Sequence, residues 1–265
     1  MSFNNLINLI FCCILKTDLE YISLPPQECL SHLIESIWMV RNHSEDRTES
    51  IILPDGKIDL FLFLDDGVNF EIFIGGICNK PIVKHPFPKS VMFAISFYPM
   101  AAEYVFKRSF SDSLNKKIIL PPGYMGFYRE DMQNFEGFYR KACVTMQRIV
   151  TDPIDTRKVK LFDLINRSKG ETKVEAIASE IGWSSREINR YFRKWLGITL
   201  KTYIDIIKFC NSLKQVKSGH FYPELSYADQ SHFIRTVKKF SGTRPTVLGK
   251  NENDRFIQLT TLSDD

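Results

Sequence analysis

From about Leu33 to Pro122 the hydrophobic positions fall in short runs rich in branched and aromatic residues. These are IESIWMV (34–40), SIIL (50–53), IDLFLFL (58–64), FEIFIGGI (70–77), SVMFAISF (90–97) and KIIL (117–120). Turn formers punctuate them: Pro54-Asp55-Gly56, Asp65-Asp66-Gly67, Lys80-Pro81 and His85-Pro86-Phe87-Pro88. Runs of this length and spacing predict an antiparallel β barrel or sandwich-like domain, with a helical turn at Met100 to Phe110 after SVMFAISF.

From Asn134 onward alternation gives way to helical spacing. Phe135, Phe138, Ala142, Met146 and Ile149 share one face, which predicts an amphipathic helix over Asn134 to Val150. Thr151-Asp152-Pro153 ends it, because a proline disfavours helix in the residue before it. The chain from Asp155 to about Lys250 is helical in pattern throughout. The plan is an α+β, multidomain chain. Residues 1–18 form an N-terminal extension, 19–150 a β-rich domain, 155–250 an all-α domain and 251–265 a C-terminal tail. Within the extension, Leu6 to Leu15 (LINLIFCCIL) is apolar but has neither a basic lead nor a cleavage site. It reads as an added N-terminal helix, or as sequence ahead of the true start, rather than a secretory signal.

Inside the helical part, Val174, Ile177, Ala178 and Ile181 make one apolar face. Gly182-Trp183-Ser184 breaks the helix, and Ser184 or Ser185 is a good N-cap for the next one. Ile188, Phe192 and Trp195 or Leu196 give that second helix a buried stripe, and Gly197 terminates it. Two short helices joined by a tight glycine-containing turn make a helix-turn-helix. Arg186, Asn189, Arg190 and Arg193 recur at helical spacing on the opposite side. Arginine pairs bidentately with guanine and asparagine with adenine in the major groove, and later basic residues reach phosphate. An ordinary solvated face is the competing reading, and three arginines with an asparagine on a helix-turn-helix outweigh it.

A second copy follows a connecting amphipathic helix at about Leu200 to Lys217. YADQSHFIRTVKKFSGTRP (227–245) aligns with GWSSREINRYFRKWLGIT (182–199), pairing Asp229 with Ser184, Phe233 with Ile188, Val237 with Phe192 and Gly242 with Gly197. Gln230, Ser231, Ile234, Arg235 and Lys238 then face outward. Chance repetition of such a unit is hard to sustain.

Charge sharpens this picture. The whole chain of 265 residues carries only +4, yet Arg157 to Lys250 holds 19 basic and 8 acidic residues, net +11. The remainder, with 16 basic and 23 acidic residues, is net −7. A basic helical third on an acidic body fits a polyanion-binding module attached to something else.

The last hundred residues resemble the AraC/XylS family of bacterial transcription regulators. Asp229 to Pro245 (DQSHF, then Arg235, KKF, Gly242 and Pro245) is close to that family's signature, and Trp183 to Gly197 is similar to its first unit. LPDGKIDL (53–60), IFIGG (72–76) and NDRFIQL (253–259) resemble the β-rich sensor-like domain found on a subset of members. The resemblance implies a cytoplasmic, sequence-specific regulator of transcription, an activator or a repressor. It would bind double-stranded DNA, recruit or hinder RNA polymerase, and answer to a small-molecule effector, and it admits a homodimer. One monomer would place two recognition helices in the major groove about one DNA turn, ~34 Å, apart. The expected DNA-binding residues are Ser184, Ser185, Arg186, Asn189, Arg190 and Arg193 in the first unit. In the second they are Gln230, Ser231, Ile234, Arg235 and Lys238.

The second unit departs from the pattern. Gly219 to Ser226 (GHFYPELS) stands where Val174 to Ile181 stood, and Gly219 and Pro223 both oppose helix. Phe221, Tyr222 and Leu225 are expected to pack as an extended segment instead.

Enzyme chemistry finds little to stand on. Cys12, Cys13, Cys29, Cys78, Cys143 and Cys210 show no zinc spacing and read as reduced thiols. His32, His43, His85, His220 and His232 are too scattered for a metal site, and His232 suits packing or a phosphate contact better. No phosphate-loop, dinucleotide or nucleophile-elbow motif occurs. Asp55 and Asp59 are imaginable as an acid/base pair, but Asp55-Gly56 is better explained as a turn. The expectation is therefore no catalytic residue, metal or cofactor, and no membrane span. The alternative class is an enzyme or ligand-binding protein in the β domain with the helices as a targeting or interaction module. A further alternative is a DNA-binding protein whose β domain only dimerises.

Overall fold

A computed structural model describes residues 11–14, 19–45, 49–85, 88–225 and 227–262. An antiparallel β-sheet region comes first and a helical region follows, as the patterning implies. The strands are β1 (Phe11–Ile14), β2 (Leu19–Leu24), β3 (Ile34–Asn42), β4 (Ser50–Ile52), β5 (Ile58–Asp65), β6 (Asn69–Gly75), β7 (Ile82–Lys84), β8 (Ser90–Phe97) and β9 (Lys117–Leu120). Seven of them form one sheet in the order β1-β2-β3-β8-β5-β6-β9, and β4 pairs with β7 apart from it. Residues 11–14 of the apolar N-terminal segment are thus a strand on β2, not a helix, with Phe11 opposite Ser23. The rest of that segment lies outside the described residues.

Strand alternation sorts the sheet's two faces. Ile37, Met39, Leu60, Leu62, Phe93 and Ile95 point to one face and are at most 3% exposed. Helix α2 (Phe135–Ile149) covers them, its Asn134 cap accepting from the Gly137 amide and its Phe138 ring centroid 5.2 Å from that of Phe93. Helix α1 (Ala101–Tyr104) is the short turn expected after β8. On the other face, registers bring Trp38, Ala94, Phe61 and Phe73 into one row, with Phe61 stacked on Phe73 at 4.7 Å.

The helical region comprises α3 (Thr156–Arg167), α4 (Val174–Ile181), α5 (Ser185–Leu196), α6 (Leu200–Lys217), α7 (Gln230–Ser241), α8 (Pro245–Lys250) and α9 (Ile257–Thr261). Helix α6 is the hub. Its Leu200, Tyr203, Ile206, Phe209 and Val216 are fully buried, between the helices and the sheet region.

The two regions share one continuous core. Residues after Lys250, read from sequence as a tail, fold back onto β4. The Ile51 amide donates to the Arg255 carbonyl, and Gln258 both accepts from the Leu53 amide and donates to its carbonyl, each at 2.9 Å. Phe256 and Leu259, 1% exposed, anchor the return.

Candidate nucleic-acid interface

Helix α4 ends at Gly182, whose φ of 70° is open to glycine at little cost and turns the chain toward α5. Ser184 then caps α5: its Oγ accepts from the Glu187 amide at 3.2 Å, while Glu187 Oε2 accepts from the Ser184 amide at 2.9 Å. These bonds hold the Glu187 carboxyl below its usual range and spend its charge at the helix start. Ile188, Phe192 and Leu196 face inward at 0% exposure, with Phe162 of α3 against Phe192 at 5.6 Å. Trp183 at the turn packs on Tyr191 and is roofed by the Arg157 guanidinium at 5.1 Å.

The opposite face of α5 is an open depression lined by Arg186, Asn189, Arg190, Arg193 and Lys194. Among the described residues none of the four cations forms an ion pair. Some cations on neighbouring helices are matched, Lys160 with Glu180, Arg167 with Asp163 and Lys201 with Asp205, while on α7 Arg235, Lys238 and Lys239 form no ion pair among the described residues. Asn189 differs from its neighbours. Its Nδ2 donates to the Ser185 carbonyl at 2.9 Å and its Oδ1 accepts from the Leu200 amide at 3.2 Å, so the side chain ties α5 to the first turn of α6. Ser184 is likewise committed to the cap, and Ser185 is half-buried.

The second unit keeps its second helix. Asp229 caps α7 by accepting from the His232 amide at 2.6 Å, and Phe233, Val237 and Phe240 are fully buried. Gln230, Ser231, Arg235 and Lys238 are exposed, together with Lys239 and Arg244, which the sequence did not single out. Ile234 is half-buried. His232 serves packing: its Nδ1 accepts from the Ala228 amide at 3.3 Å and its ring meets Tyr227 edge-on.

Among the described residues no helix occupies 219–229, as the glycine and proline foretell. Gln215, 6% exposed on α6, pins the segment: Nε2 donates to the His220 and Tyr222 carbonyls at 3.2 and 2.7 Å, and Oε1 accepts from the Glu224 amide at 3.3 Å. Phe221 packs inward against Gly249, but Tyr222, expected to pack, is 72% exposed. Ser226 lies outside the described residues.

The sheet region contacts the C-terminal cap of α5 and comes close to that of α7. Ser109 Oγ donates to the Lys194 carbonyl at 2.6 Å and the Phe110 amide to the Trp195 carbonyl at 2.8 Å. They satisfy carbonyls that the end of α5 leaves open. A side-chain carbon added at Gly242, after α7, would lie 3.4 Å from Pro81.

Asp55 sits at a third contact, the turn between β4 and β5, and Asp59 follows on β5. Asp55 Oδ1 accepts from the Lys57 amide at 3.0 Å, which confirms the turn, and Asp59 accepts from Ser96 Oγ. Among the described residues no group of three or more His, Cys, Asp or Glu side chains is placed to hold a metal ion, and no helix is long and apolar enough to cross a membrane.

Residues 22–119, from β2 into β9, match a family described only as a domain of unknown function (DUF6597). No curated protein sequence matches the chain. Solved structures of ToxT from Vibrio cholerae are similar in outline. One at 1.65 Å resolution is 10% identical with a TM-score of 0.44, covering 86% of this chain and 98% of that one. ToxT from strain O395 is 12% identical with a TM-score of 0.43, covering 79% and 94%. A structure of the O395 protein bound to (E)-4-(8-methylnaphthalen-1-yl)but-3-enoic acid is 11% identical with a TM-score of 0.44, covering 84% and 98%.

Proposed function

We propose that this chain is a sequence-specific, double-stranded-DNA-binding regulator of transcription that reads the major groove with α5 and α7. One observation carries the reading: Arg186, Arg190, Arg193 and Lys194 stand together, without ion-pair partners among the described residues, on the face of a doubly capped helix-turn-helix. Burying four such charges against anything but a polyanion is costly, whereas phosphate and guanine edges use them directly. Arg186 and Arg190 are the base readers in this account, and Arg193 and Lys194 reach the backbone. Asn189 braces the reader instead of reading. In the second unit Gln230, Ser231 and Arg235 meet base edges, and Lys238 meets phosphate. RNA polymerase as the regulated partner, an activating or repressing sign, a cytoplasmic setting, an effector on the sheet region and a homodimer belong to the same proposal.

The test is binding of the full chain to duplex DNA of randomised sequence, with affinity followed against salt. Each neutralised phosphate adds about −0.9 to the slope of log K against log salt, so the two units together give a slope of several. A flat salt response, or no enrichment of any sequence from the random pool, overturns the reading.

A further inference from the structure

The sheet region meets α6 at the turn Pro54 to Lys57. Gly56 lies there with φ +76°, and a side-chain carbon on it would stand 2.9 Å from Tyr203 Cε2 and 3.1 Å from Ile207 Cδ1. Only bare backbone seats this closely. Beside it the Cys210 thiol donates to the Pro54 carbonyl at 3.2 Å. Helix α6 joins the two helix-turn-helix units, so this contact grips the element between them.

The grip is built from charge. The Lys57 side chain is 8% exposed, with Nζ 2.7 Å from Glu35 Oε1 and 4.0 Å over the Tyr98 ring. Asp55 and Asp59 keep some exposed surface, but protein crowds round both carboxyls. Asp59 accepts from Ser96 Oγ, which in turn accepts from Trp38 Nε1 at 2.8 Å. Lys57 is therefore the near cation for three carboxyls, Glu35, Asp55 and Asp59, an arrangement that is net −2 when all are ionised. From the α6 side, the fully buried Tyr203 hydroxyl enters the field of Glu35, Asp55 and Tyr98 and has no hydrogen-bond partner among the described residues. The remaining titratable neighbours are Cys210 on α6, Cys78 and Lys84.

Burial pushes the Asp55 carboxyl up to about 6, against the pull of the Lys57 amide and charge. Burial and then the charge of Asp55 raise Asp59 well above the carboxylate range. Glu35 keeps Lys57 protonated despite its burial. Burial likewise keeps both thiols and the Tyr203 phenol neutral.

We propose that the turn 54–57 and α6 form a proton-controlled latch between the sheet and helical regions, closed while Asp55 or Asp59 carries a proton and loosened when both ionise. The sign follows from linkage. A closed joint that raises a carboxyl's pKa binds more protons than an open one. Closure is therefore firmest below about pH 4, where the open form is protonated too, and weakens as pH rises through about 6 and beyond. Opening frees α6 and so alters how the two reading units stand to each other, a consequence that rests on the function proposed above.

Hydrogen–deuterium exchange of the full chain tests the latch without DNA. Peptides from α6 are followed from pH 5 to 8.5, with rates corrected for intrinsic exchange. Wild-type protection of 203–210 should fall by up to tenfold per pH unit once one proton is released on opening. Asp59→Asn, a neutral near-isostere, and Asp55→Asn, which keeps the oxygen that accepts from the Lys57 amide, should each flatten that profile. At pH 8 the variants should then be several-fold better protected than wild type. A wild-type profile already flat across the range, or one that both variants retain, overturns the latch. If neither variant folds, the wild-type profile alone decides. DNA affinity of the same samples bears on the other reading: no binding at any pH rejects the regulator, while the exchange result still decides the latch.

Discussion

Gly197→Ala measures how firmly the sheet region holds the first reading helix. Three glycines end helices in the same conformation: Gly182 at φ 70°, Gly197 at 72° and Gly242 at 75°. Alanine at each carries left-handed strain of about 1–2 kcal/mol, partly offset by about 0.4–1 kcal/mol from a less free unfolded chain. The surroundings differ. An added carbon at Gly182 meets nothing within 4 Å and at Gly242 only Pro81 at 3.4 Å, but at Gly197 it meets the Ser111 carbonyl oxygen at 2.8 Å and Cα at 2.9 Å. Those are backbone atoms, held by Ser109 on the Lys194 carbonyl and Phe110 on the Trp195 carbonyl. Moving Ser111 away strains or breaks both bonds, at about 0.5–1.5 kcal/mol each. Gly182→Ala and Gly242→Ala should therefore cost about 1 kcal/mol, and Gly197→Ala about 2–4 kcal/mol. Urea unfolding of the full-length variants, followed by tryptophan fluorescence, reads the difference, since Trp183 precedes α5 and Trp195 lies in its last turn. Losses equal within about 0.5 kcal/mol for all three refute the rigid contact, because additive strain alone then accounts for them.

Arg190→Ala should cost about 1–3 kcal/mol at a selected DNA site and relax base preference, with a smaller loss for Arg235→Ala; equal losses across a site library reject the asymmetry. Asn189→Ala should lower stability by about 1–3 kcal/mol with no DNA present, because the Leu200 amide loses its partner, and an unchanged melting temperature refutes its bracing role. Gln215→Leu strands three backbone groups of 220–224 and should make that segment the first site of limited proteolysis, which wild-type cleavage kinetics would contradict.

The parts legible in the sequence are those fixed by neighbours along the chain. Strands β3, β5, β6, β8 and β9 announce themselves by branched and aromatic runs, and the caps at Ser184 and Asp229 by residue type three places ahead of the amide they receive. Strand β2 leaves no readable run, because LEYISL is half-buried along most of its length and alternation offers little contrast. Strands β4 and β7 are three residues each and make their own two-stranded sheet, so β7 left no run to read. Asn189 lay at the right spacing for base reading, yet its amide turns inward to Leu200, eleven residues on. Asp55 reads as a turn former, but the turn it makes is seated on Tyr203 through Gly56 and on Cys210 through Pro54, which lie in the chain far beyond it. The return of Gln258 to Leu53 spans 205 residues. No local pattern encodes such pairings.

The two reading units differ less in their helices than in what holds them. Helix α5 rests on α4, is tied to α6 by Asn189 and is capped at its far end by Ser109 and Phe110. Helix α7 has a comparable buried triad of Phe233, Val237 and Phe240, but among the described residues no helix takes the place that α4 has beside α5, and the segment before it is held to α6 by Gln215 and by Lys208 over the Tyr227 ring. Ordering subtracts from affinity in proportion to what was loose beforehand, so under the proposed function the first unit should deliver more of its contact energy to DNA. Both supports converge on α6, the helix that the Asp55–Lys57 turn grips from the sheet side. A change at that turn is therefore felt first by the weaker-held unit, and the half-site under α7 is where control from the sheet region would show.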